Sequence, residues 1–321
     1  MLFEPFTLRG VTFRNRIGVS PMCQYSSTDG FADDWHLVHL GSRAVGGAGL
    51  VMAEATAVEA RGRISPQDLG LWKDEQIEPL ARVARFVRAQ GAVAALQLAH
   101  AGRKASVTRP WDADKPVAPP EGWTPILAPS AIPFDEGYQT PLALPEPEID
   151  AVLAAFGAAA ARAARAGFQA LEIHGAHGYL IHEFLSPVTN RRDDRWGGSF
   201  ENRVRFAVEA VRAVRRAVPD DMPLLMRLST TDWLGAAGWT VEDSIALARR
   251  LKGEGIDAID CSSGGIAPRV RIDAGPGYQL PNAARIRAEA DIPTAGIGFI
   301  TSAPQAEQAL RSGQADLVFL A

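Results

Sequence analysis

Near the middle of the 321-residue chain, a short stretch concentrates side chains suited to acid–base chemistry. His174 and His177 stand three positions apart, and Tyr179 follows two positions later. Imidazole and phenol groups at this spacing can polarise a carbonyl oxygen and deliver a proton to a nearby carbon. A metal site is one alternative, with His100 or His182 as the third ligand. A purely structural role for the two histidines is the other.

Further polar and glycine residues stand where apolar runs end. Gln97 and Arg227 can hydrogen-bond to a planar heterocycle and stabilise negative charge on it. Because Arg227 lies within an apolar run, its charge needs a partner, and a bound anionic ligand is the simplest one. Glycines such as Gly298 let backbone amides approach a phosphate closely. Tyr25, after the first run, is a further candidate donor.

The apolar runs predict the elements that must position these residues. They are rich in Val, Ile, Leu and Ala and do not alternate, which indicates parallel strands buried on both faces. The chain has eight such runs, at residues 17–20, 50–54, 93–98, 170–174, 224–228, 258–262, 293–296 and 317–320.

Amphipathic stretches between the runs predict helices, at residues 75–90, 146–166, 201–218, 241–254 and 303–312. Strand followed by helix, repeated about eight times, is typical of an α/β fold of the (β/α)8 TIM-barrel type. A doubly wound open sheet uses the same alternation. The first strand lacks a glycine fingerprint for a dinucleotide, so the barrel is favoured.

Three further segments complete the predicted barrel. Residues 1–15 alternate around Gly10 and predict an N-terminal β-hairpin that caps the barrel floor. Residues 103–145 and 181–199 are too long for plain connections, and both follow strands, so we expect long loops on the catalytic face. We expect residues 1–321 to form one domain, in which the eighth helix is absent because the sequence stops as the eighth strand ends.

Composition and charge exclude several classes of protein. A net charge of −4 gives no broad basic field, so nucleic acid is not an expected partner. Two cysteines, Cys23 and Cys261, cannot build a four-cysteine zinc site, an iron–sulfur cluster or a disulfide scaffold. No run approaches the roughly 18 apolar residues of a membrane span, and no secretory signal opens the chain. We therefore expect a cytoplasmic protein without a membrane partner.

Four strings together resemble the Old Yellow Enzyme family, and most of all its thermophilic-like bacterial branch, which carries a cysteine after the first strand. The strings are SPMCQYS (20–26), QLAHAGRKA (97–105), IHGAHGYLIHEFLSP (173–187) and NRRDDRWGGSFENR (190–203). The resemblance implies an FMN-containing barrel that takes hydride from NADPH or NADH and reduces activated carbon–carbon double bonds. The last string is expected to brace the loop after the fourth strand.

The resemblance also implies roles for individual residues. Ser20, Pro21, Met22 and Cys23 match the segment along the flavin, with the Cys23 thiol tuning the flavin rather than reacting covalently. Ala55, Gln97 and Arg227 match positions that contact the flavin ring, so flavin is also a candidate partner for the Arg227 charge. Gly298 and Ala321 match phosphate-side positions. His174 and His177 match the pair that binds the substrate carbonyl oxygen, Tyr179 matches the proton donor, and Tyr25 matches a second substrate-side phenol.

The sequence departs from the family pattern at its end. Ala321 stands where many members have glycine, and the family's phosphate-binding arginine would follow it. We expect the natural protein to continue for about 30–50 residues, beginning with that arginine, to supply a helix and a tail that reaches a neighbouring subunit.

The sequence therefore predicts an FMN-dependent, NAD(P)H-driven ene-reductase acting on α,β-unsaturated carbonyl or nitro compounds, without a metal ion. A homodimer or homotetramer is the expected assembly. The alternative is a non-catalytic, flavin-free TIM-barrel protein or fragment without the phosphate arginine.

Overall fold

The structure, a computed structural model, describes residues 1–113 and 115–321. The strands in these residues are β1 (Phe6–Leu8), β2 (Val11–Phe13), β3 (Ile17–Val19), β4 (Leu50–Ala57), β5 (Val93–Ala99), β6 (Leu127–Ala128), β7 (Leu142–Ala143), β8 (Ala170–Gly175), β9 (Leu224–Ser229), β10 (Ala258–Ser262), β11 (Thr294–Gly296) and β12 (Leu317–Leu320). The α-helices are α1 (Asp34–Val45), α2 (Ile77–Ala89), α3 (Glu146–Arg165), α4 (Leu180–Leu185), α5 (Phe200–Arg203), α6 (Arg205–Ala217), α7 (Val241–Gly253), α8 (Leu280–Ala290) and α9 (Ala303–Arg311).

Eight parallel strands close into a barrel in the order β3, β4, β5, β8, β9, β10, β11, β12. The ring closes where β12 pairs with β3, with Val318 opposite Ile17. These strands are the eight that the apolar runs predict, and helices lie between them. The (β/α)8 TIM barrel is therefore confirmed.

Burial on both faces explains why the barrel strands do not alternate between apolar and polar residues. Leu50 and Met52 on β4 pack inside the barrel, in a cluster that also holds Phe319. Val51 and Ala53 on the same strand pack outward against the helices. Both faces of the strand are thus withdrawn from water, and every position favours an apolar residue.

The N-terminal hairpin covers one end of the barrel. β1 and β2 are antiparallel, with Phe6 opposite Phe13 and Leu8 opposite Val11. Leu8 and Phe13 are buried in the same cluster that fills the barrel interior. The hairpin therefore caps the barrel floor, as the sequence predicts.

Two of the differences between the helices and the sequence pattern lie in the chain after β8. The stretch predicted as one helix over residues 201–218 is divided at Val204 into α5 and α6, and the Ser199 hydroxyl accepts from the Asn202 N–H to cap α5. The segment 181–199 is not loop throughout, since α4 begins at Leu180 and ends at Leu185. No helix among the described residues has the length and apolar character needed to cross a bilayer.

The string at residues 190–203 forms a brace beneath α4. The Arg192 guanidinium donates to the carbonyl oxygens of Pro129 and Leu144, at 3.0 and 2.7 Å, and pairs with the Asp194 carboxylate. Arg203 donates to the carbonyl oxygen of Leu185 at 2.9 Å. These contacts fix the long segment after β8 against the 103–145 segment.

Candidate active site

The predicted catalytic and cofactor-binding residues lie in the carboxyl-terminal half of a barrel strand or just beyond it. Gln97 lies on β5, His174 on β8 and Arg227 on β9, while Ala55 lies on β4. The others lie in the segments just beyond β3, β8, β11 and β12, namely Ser20, Pro21, Met22, Cys23, Tyr25, His177, Tyr179, Gly298 and Ala321. Active sites of TIM barrels occupy this face.

Two imidazoles and a phenol meet at the end of β8. The His174 ring centroid lies 5.1 Å from that of His177 and 5.0 Å from that of Tyr179, with edge-on geometry in both pairs. The β8 loop (residues 176–179) carries His177 and Tyr179 over the end of the strand. Three proton-bearing groups therefore converge on one place.

Backbone contacts hold the β8 loop in an unusual conformation. His177 has a φ of +61°, which is uncommon for a residue with a side chain. Its N–H donates to Ser229 Oγ at 2.9 Å, and its Nε2 lies 2.7 Å from Ser262 Oγ. Gly178 also has a positive φ, +75°, and a Cβ there would collide with the carbonyl oxygen of Gly265. The β8 loop is thus locked against the ends of β9 and β10.

A buried pair of side chains supports the β8 loop from behind. The Gly178 N–H donates to His182 Nδ1 at 2.9 Å, and His182 Nε2 lies 2.8 Å from Asp232 Oδ1. The hydroxyl of Ser186 and the N–H of Trp239 donate to Asp232 Oδ2 at 2.6 and 2.7 Å. Burial alone raises the pKa of Asp232, but these partners outweigh it and the net direction is downward. Asp232 is therefore a fixed negative charge.

Electrostatics keep the two site histidines uncharged. Burial, and after it the nearby Arg227 charge, hold the pKa values of His174 and His177 well below the usual histidine range. The Lys104 ammonium, 5.1 Å from the Tyr179 ring centroid, acts in the same direction on both histidines. Neutral imidazoles can each donate one N–H to an oxygen atom without leaving a buried charge. His174 Nδ1 is buried and has no hydrogen-bond partner among the described residues.

Cys23 and Tyr25 approach the β8 loop from the β3 side. Both pack against the apolar cluster of Ile64 and Ala101, which Tyr179 also contacts. Tyr25 has a φ of +51°, and its ring meets the edge of Trp111 at 5.6 Å between centroids. The structure thus brings the two predicted phenols, Tyr25 and Tyr179, to one cluster.

The Cys23 thiol lies in an environment that disfavours its ionised form. Burial, then the charges of Asp68 and Glu54, raise the pKa of Cys23 well above its ordinary value. A thiol in this state is a poor nucleophile.

A cleft of about 420 Å³ opens on the opposite side of the barrel mouth, between the ends of β11 and β12. We call it the β11–β12 cleft. Six predicted cofactor residues line it, namely Ser20, Pro21, Met22, Arg227, Gly298 and Ala321. Ala55, Gln97 and Cys23 do not line this cleft, and Ala55 instead shares a small recess with Tyr179.

Two features of the β11–β12 cleft fit a nucleotide-like group such as FMN. Gly298 has a φ of +104°, and an added Cβ would approach the Tyr278 ring to 3.0 Å, so a larger residue is strained there. Gln279 Oε1 is buried without a hydrogen-bond partner among the described residues, which leaves an acceptor for a ligand. The backbone at Gly298 can therefore come close to a phosphate, and the Arg227 guanidinium offers N–H donors to a ring.

The partner of Arg227 is a finding that the sequence analysis did not anticipate. A bound anion or flavin is the partner that the sequence predicts, and within the chain Arg227 Nε also lies 3.2 Å from Asp260 Oδ2 on the neighbouring strand β10. Ser262 and Ser229, which hold His177, were also missed. The parallel register places Asp260 beside Arg227 and Ser262 beside Ser229. In the sequence, Asp260 is a polar residue within the apolar run 258–262, and such a residue indicates a polar partner on a neighbouring strand.

The third ligand that a metal site would need is engaged elsewhere. His100 Nε2 lies 2.9 Å from Glu59 Oε1, and His182 is paired with Asp232. Within residues 1–113 and 115–321, no group of three or more His, Cys, Asp or Glu side chains is arranged to hold a metal ion.

Comparison with known proteins shows the family of this chain. The sequence profile of the NADH:flavin oxidoreductase / NADH oxidase family matches residues 1–321. An NADPH dehydrogenase from Geobacillus sp. is 50% identical over 323 residues, covering 100% of this chain and 89% of that protein. An NADH:flavin oxidoreductase from Gibberella zeae is 46% identical over 329 residues, covering 97% and 80%.

Solved structures show the same architecture. Morphinone reductase in complex with tetrahydroNAD is 29% identical, with a TM-score of 0.78 over 99% of this chain and 86% of that one. A 2-naphthoyl-CoA reductase is 27% identical, with a TM-score of 0.89 over 99% of this chain. This chain spans about half of that reductase, 49% of its length.

The profile match over residues 1–321 and the identities of 46–50% favour the oxidoreductase over the non-catalytic alternative. The chain belongs to the NADH:flavin oxidoreductase / NADH oxidase family, and it is an FMN- and NAD(P)H-dependent oxidoreductase of the Old Yellow Enzyme type.

Proposed function

We propose that this enzyme is an ene-reductase, which reduces the C=C bond of α,β-unsaturated carbonyl or nitro compounds at the expense of NAD(P)H. The observation that carries the proposal is the convergence of His174, His177 and Tyr179 at the end of β8, with centroid distances of 5.1 and 5.0 Å. Two neutral N–H donors and a phenol are what an activated alkene requires. The donors bind its oxygen, and the phenol supplies a proton.

His174 and His177 bind the carbonyl or nitro oxygen in this proposal. Their N–H groups stabilise the negative charge that develops on that oxygen as the double bond accepts hydride. Ser262 orients His177, because its hydroxyl lies 2.7 Å from His177 Nε2 and fixes the rotation of that ring. Tyr25 closes the substrate pocket from the β3 side.

Tyr179 donates the proton to the α-carbon. The Lys104 ammonium lies over its ring at 5.1 Å and favours the phenolate that remains after proton transfer. Hydride at the β-carbon and a proton at the α-carbon together balance the reduction, and solvent then returns a proton to Tyr179.

FMN, when bound, would supply the hydride chemistry that links NAD(P)H to the alkene. The residues that would hold FMN are Ser20, Pro21, Met22, Cys23, Ala55, Gln97, Arg227, Gly298 and Ala321. The lining of the β11–β12 cleft by six of these residues supports the assignment. Arg227 would face the electron-rich part of the ring, and Gly298 would face the phosphate.

A two-stage stopped-flow experiment tests the proposed function. Enzyme loaded with FMN is first mixed anaerobically with NADPH or NADH, and bleaching of the flavin absorption is followed. The bleached enzyme is then mixed with a cyclic enone, a maleimide or a nitroalkene. Recovery of the absorption, together with formation of the saturated product, is the expected result. Fast bleaching without recovery for all three alkene classes would contradict the proposal.

We also propose that residues 1–321 act as one domain in a cytoplasmic homodimer or homotetramer. The closed barrel supports the first part, because strands from both halves of the chain pair in one ring. Light scattering on the purified protein measures the oligomeric state.

A further inference from the structure

Four polar side chains lie inside the barrel, on neighbouring strands. Gln97, Glu172, Arg227 and Asp260 come from β5, β8, β9 and β10 and are 2%, 0%, 7% and 0% exposed. The strand register places Gln97 opposite Glu172 and Arg227 opposite Asp260. Gln97 Nε2 donates to Glu172 Oε1 at 2.7 Å, and Arg227 pairs with Asp260 at 3.2 Å.

The carboxyl groups of Glu172 and Asp260 enter the barrel interior from β8 and β10, the two strands that flank β9, and lie within hydrogen-bond reach of each other. Glu172 Oε2 and both carboxyl oxygens of Asp260 receive no hydrogen from any N–H or O–H group among the described residues. Two ionised carboxylates in contact inside a barrel would repel each other at low dielectric, and one guanidinium balances only one of them. A single proton between them turns this repulsion into a hydrogen bond.

The surroundings indicate which carboxyl group holds that proton. Burial, then the Asp260 charge, raise the pKa of Glu172 well above its ordinary value. Burial also raises the pKa of Asp260, but the Arg227 charge and the contact with Glu172 oppose this rise. Asp260 lies 3.2 Å from the Arg227 guanidinium, whereas the hydrogen-bond partner of Glu172 is the neutral Gln97 amide. Glu172 is therefore the protonated member, and Asp260 is the ionised partner of Arg227.

We propose that Glu172 and Asp260 form a one-proton carboxyl pair that positions Gln97 and Arg227 and sets the reduction potential of bound FMN. The inference rests on the proposed function, because it takes Gln97 and Arg227 as flavin contacts. Neither carboxyl group touches the reacting atoms, so both are positioning residues. With Glu172 neutral, the charges of Arg227 and Asp260 cancel, and the cluster presents no net charge to the flavin.

Two variants separate this role from a merely structural one. Glu172→Gln keeps a carbonyl oxygen for Gln97 and an N–H donor for Asp260, so the net charge of the cluster does not change. Adding Asp260→Asn to that variant removes the only negative charge and leaves Arg227 uncompensated. The double variant is used because Glu172 could ionise and restore the balance in Asp260→Asn alone.

The reduction potential of FMN-loaded protein is measured by equilibration with a reference dye. We expect Glu172→Gln to match the parent protein. The double variant should favour reduced FMN by roughly tenfold or more in the equilibrium constant, because one unbalanced positive charge stabilises the added electrons. If the reduction potential of Glu172→Gln rises as much as that of the double variant, Glu172 is ionised in the parent protein. An unchanged potential in the double variant would show that the pair does not act on the flavin.

Infrared spectroscopy gives a second readout that survives poor folding of the double variant. The parent protein at neutral pH should show the carbonyl stretch of a protonated carboxylic acid that is absent from Glu172→Gln. If this carbonyl stretch is absent from the parent protein, the proposal of a shared proton is wrong. Failure of the proposed function looks different, since the parent protein would then retain no FMN or would not be reoxidised by any alkene.

Discussion

The two sides of the barrel mouth differ in how their polar groups are hydrogen-bonded. In the β8 loop, other protein groups bond almost all of them, whereas the β11–β12 cleft on the other side holds a polar atom to which no described residue hydrogen-bonds. The N–H groups of His177 and Gly178 donate to Ser229 and His182, and Ser262 holds the His177 ring. In the cleft, Gln279 Oε1 is buried without a partner among the described residues, and about 420 Å³ is open.

This difference separates two ways of building a binding surface. The β8 loop is preorganised, so its donors do not need to reorient when a substrate arrives, and this favours transition-state stabilisation. Under the proposed function, FMN would supply the contacts that the cleft lacks, so its binding should stabilise the folded chain. Substitutions in the β8 loop should therefore change rates, and substitutions behind it should change stability.

Removal of the two imidazoles that are proposed to bind the substrate oxygen should have the largest effect. The double variant His174→Ala/His177→Ala should lower kcat/KM for enones by about 10²–10³-fold per lost donor. Binding of phenols, measured by the flavin absorption shift, should weaken in parallel. Oxidation of NAD(P)H by the FMN-loaded variant should continue, and His39→Ala, on helix α1, serves as the matched control. Retention of phenol affinity in the double variant would contradict the assignment.

Tyr179→Phe should have the next largest effect, confined to the alkene stage. A positioned general acid contributes about 10²–10⁴-fold, so enone reduction should slow within that range. The NAD(P)H stage needs no proton from this residue and should be nearly unchanged. Nitroalkenes should suffer less, because a nitronate product is stable enough to take its proton from water.

Stopped-flow traces with each stage run alone distinguish these outcomes. Tyr138→Phe is the control, since Tyr138 packs against the same apolar cluster. Equal slowing of the NAD(P)H stage in Tyr179→Phe would place Tyr179 in the nicotinamide pocket instead.

The barrel strands illustrate how much of the fold the sequence predicts. All eight apolar runs are strands, because burial on both faces leaves a direct compositional trace. The sequence predicts the ends of the strands less well. β4 extends to Ala57, beyond the predicted end at residue 54, because a bulge between Ala53 and Ala55 restores pairing with β5. Small residues there gave no signal that the strand continues.

The site was less predictable than the strands for a physical reason. His174, His177 and Tyr179 are close in sequence, so their convergence follows from local geometry. Asp260 meets Arg227 only through the register of β9 and β10, and Ser262 meets His177 in the same way. Register is a property of the closed barrel, and a single sequence does not encode it in any local pattern.

Behind the β8 loop, Asp232→Asn should lower stability moderately. The substitution replaces an ionised acceptor of three hydrogen bonds by a neutral amide, at a cost of about 1–3 kcal/mol in the free energy of unfolding. The pKa of Asp232 is lowered in the folded protein, so its stabilisation is present above the unfolded pKa, about 4, and is lost as the pH falls through the folded value.

Urea unfolding over a pH series measures this effect. The difference between Asp232→Asn and the parent protein should be full at neutral pH and should shrink below about pH 4. A constant difference across the series would mean that Asp232 is not a charged acceptor. Asp273→Asn, at an exposed position, is the control and should change stability little.

Among these substitutions, Cys23→Ala should have the smallest effect on turnover. Burial and the charges of Asp68 and Glu54 raise the pKa of the Cys23 thiol, so the neutral thiol should be alkylated slowly at neutral pH. If the thiol modifies the flavin environment, as proposed, Cys23→Ala should retain FMN and turnover while shifting the reduction potential. Cys261→Ala is the matched control, because Cys261 is a fully buried thiol on β10. Loss of turnover in Cys23→Ala with normal FMN content would instead indicate a covalent role for the thiol.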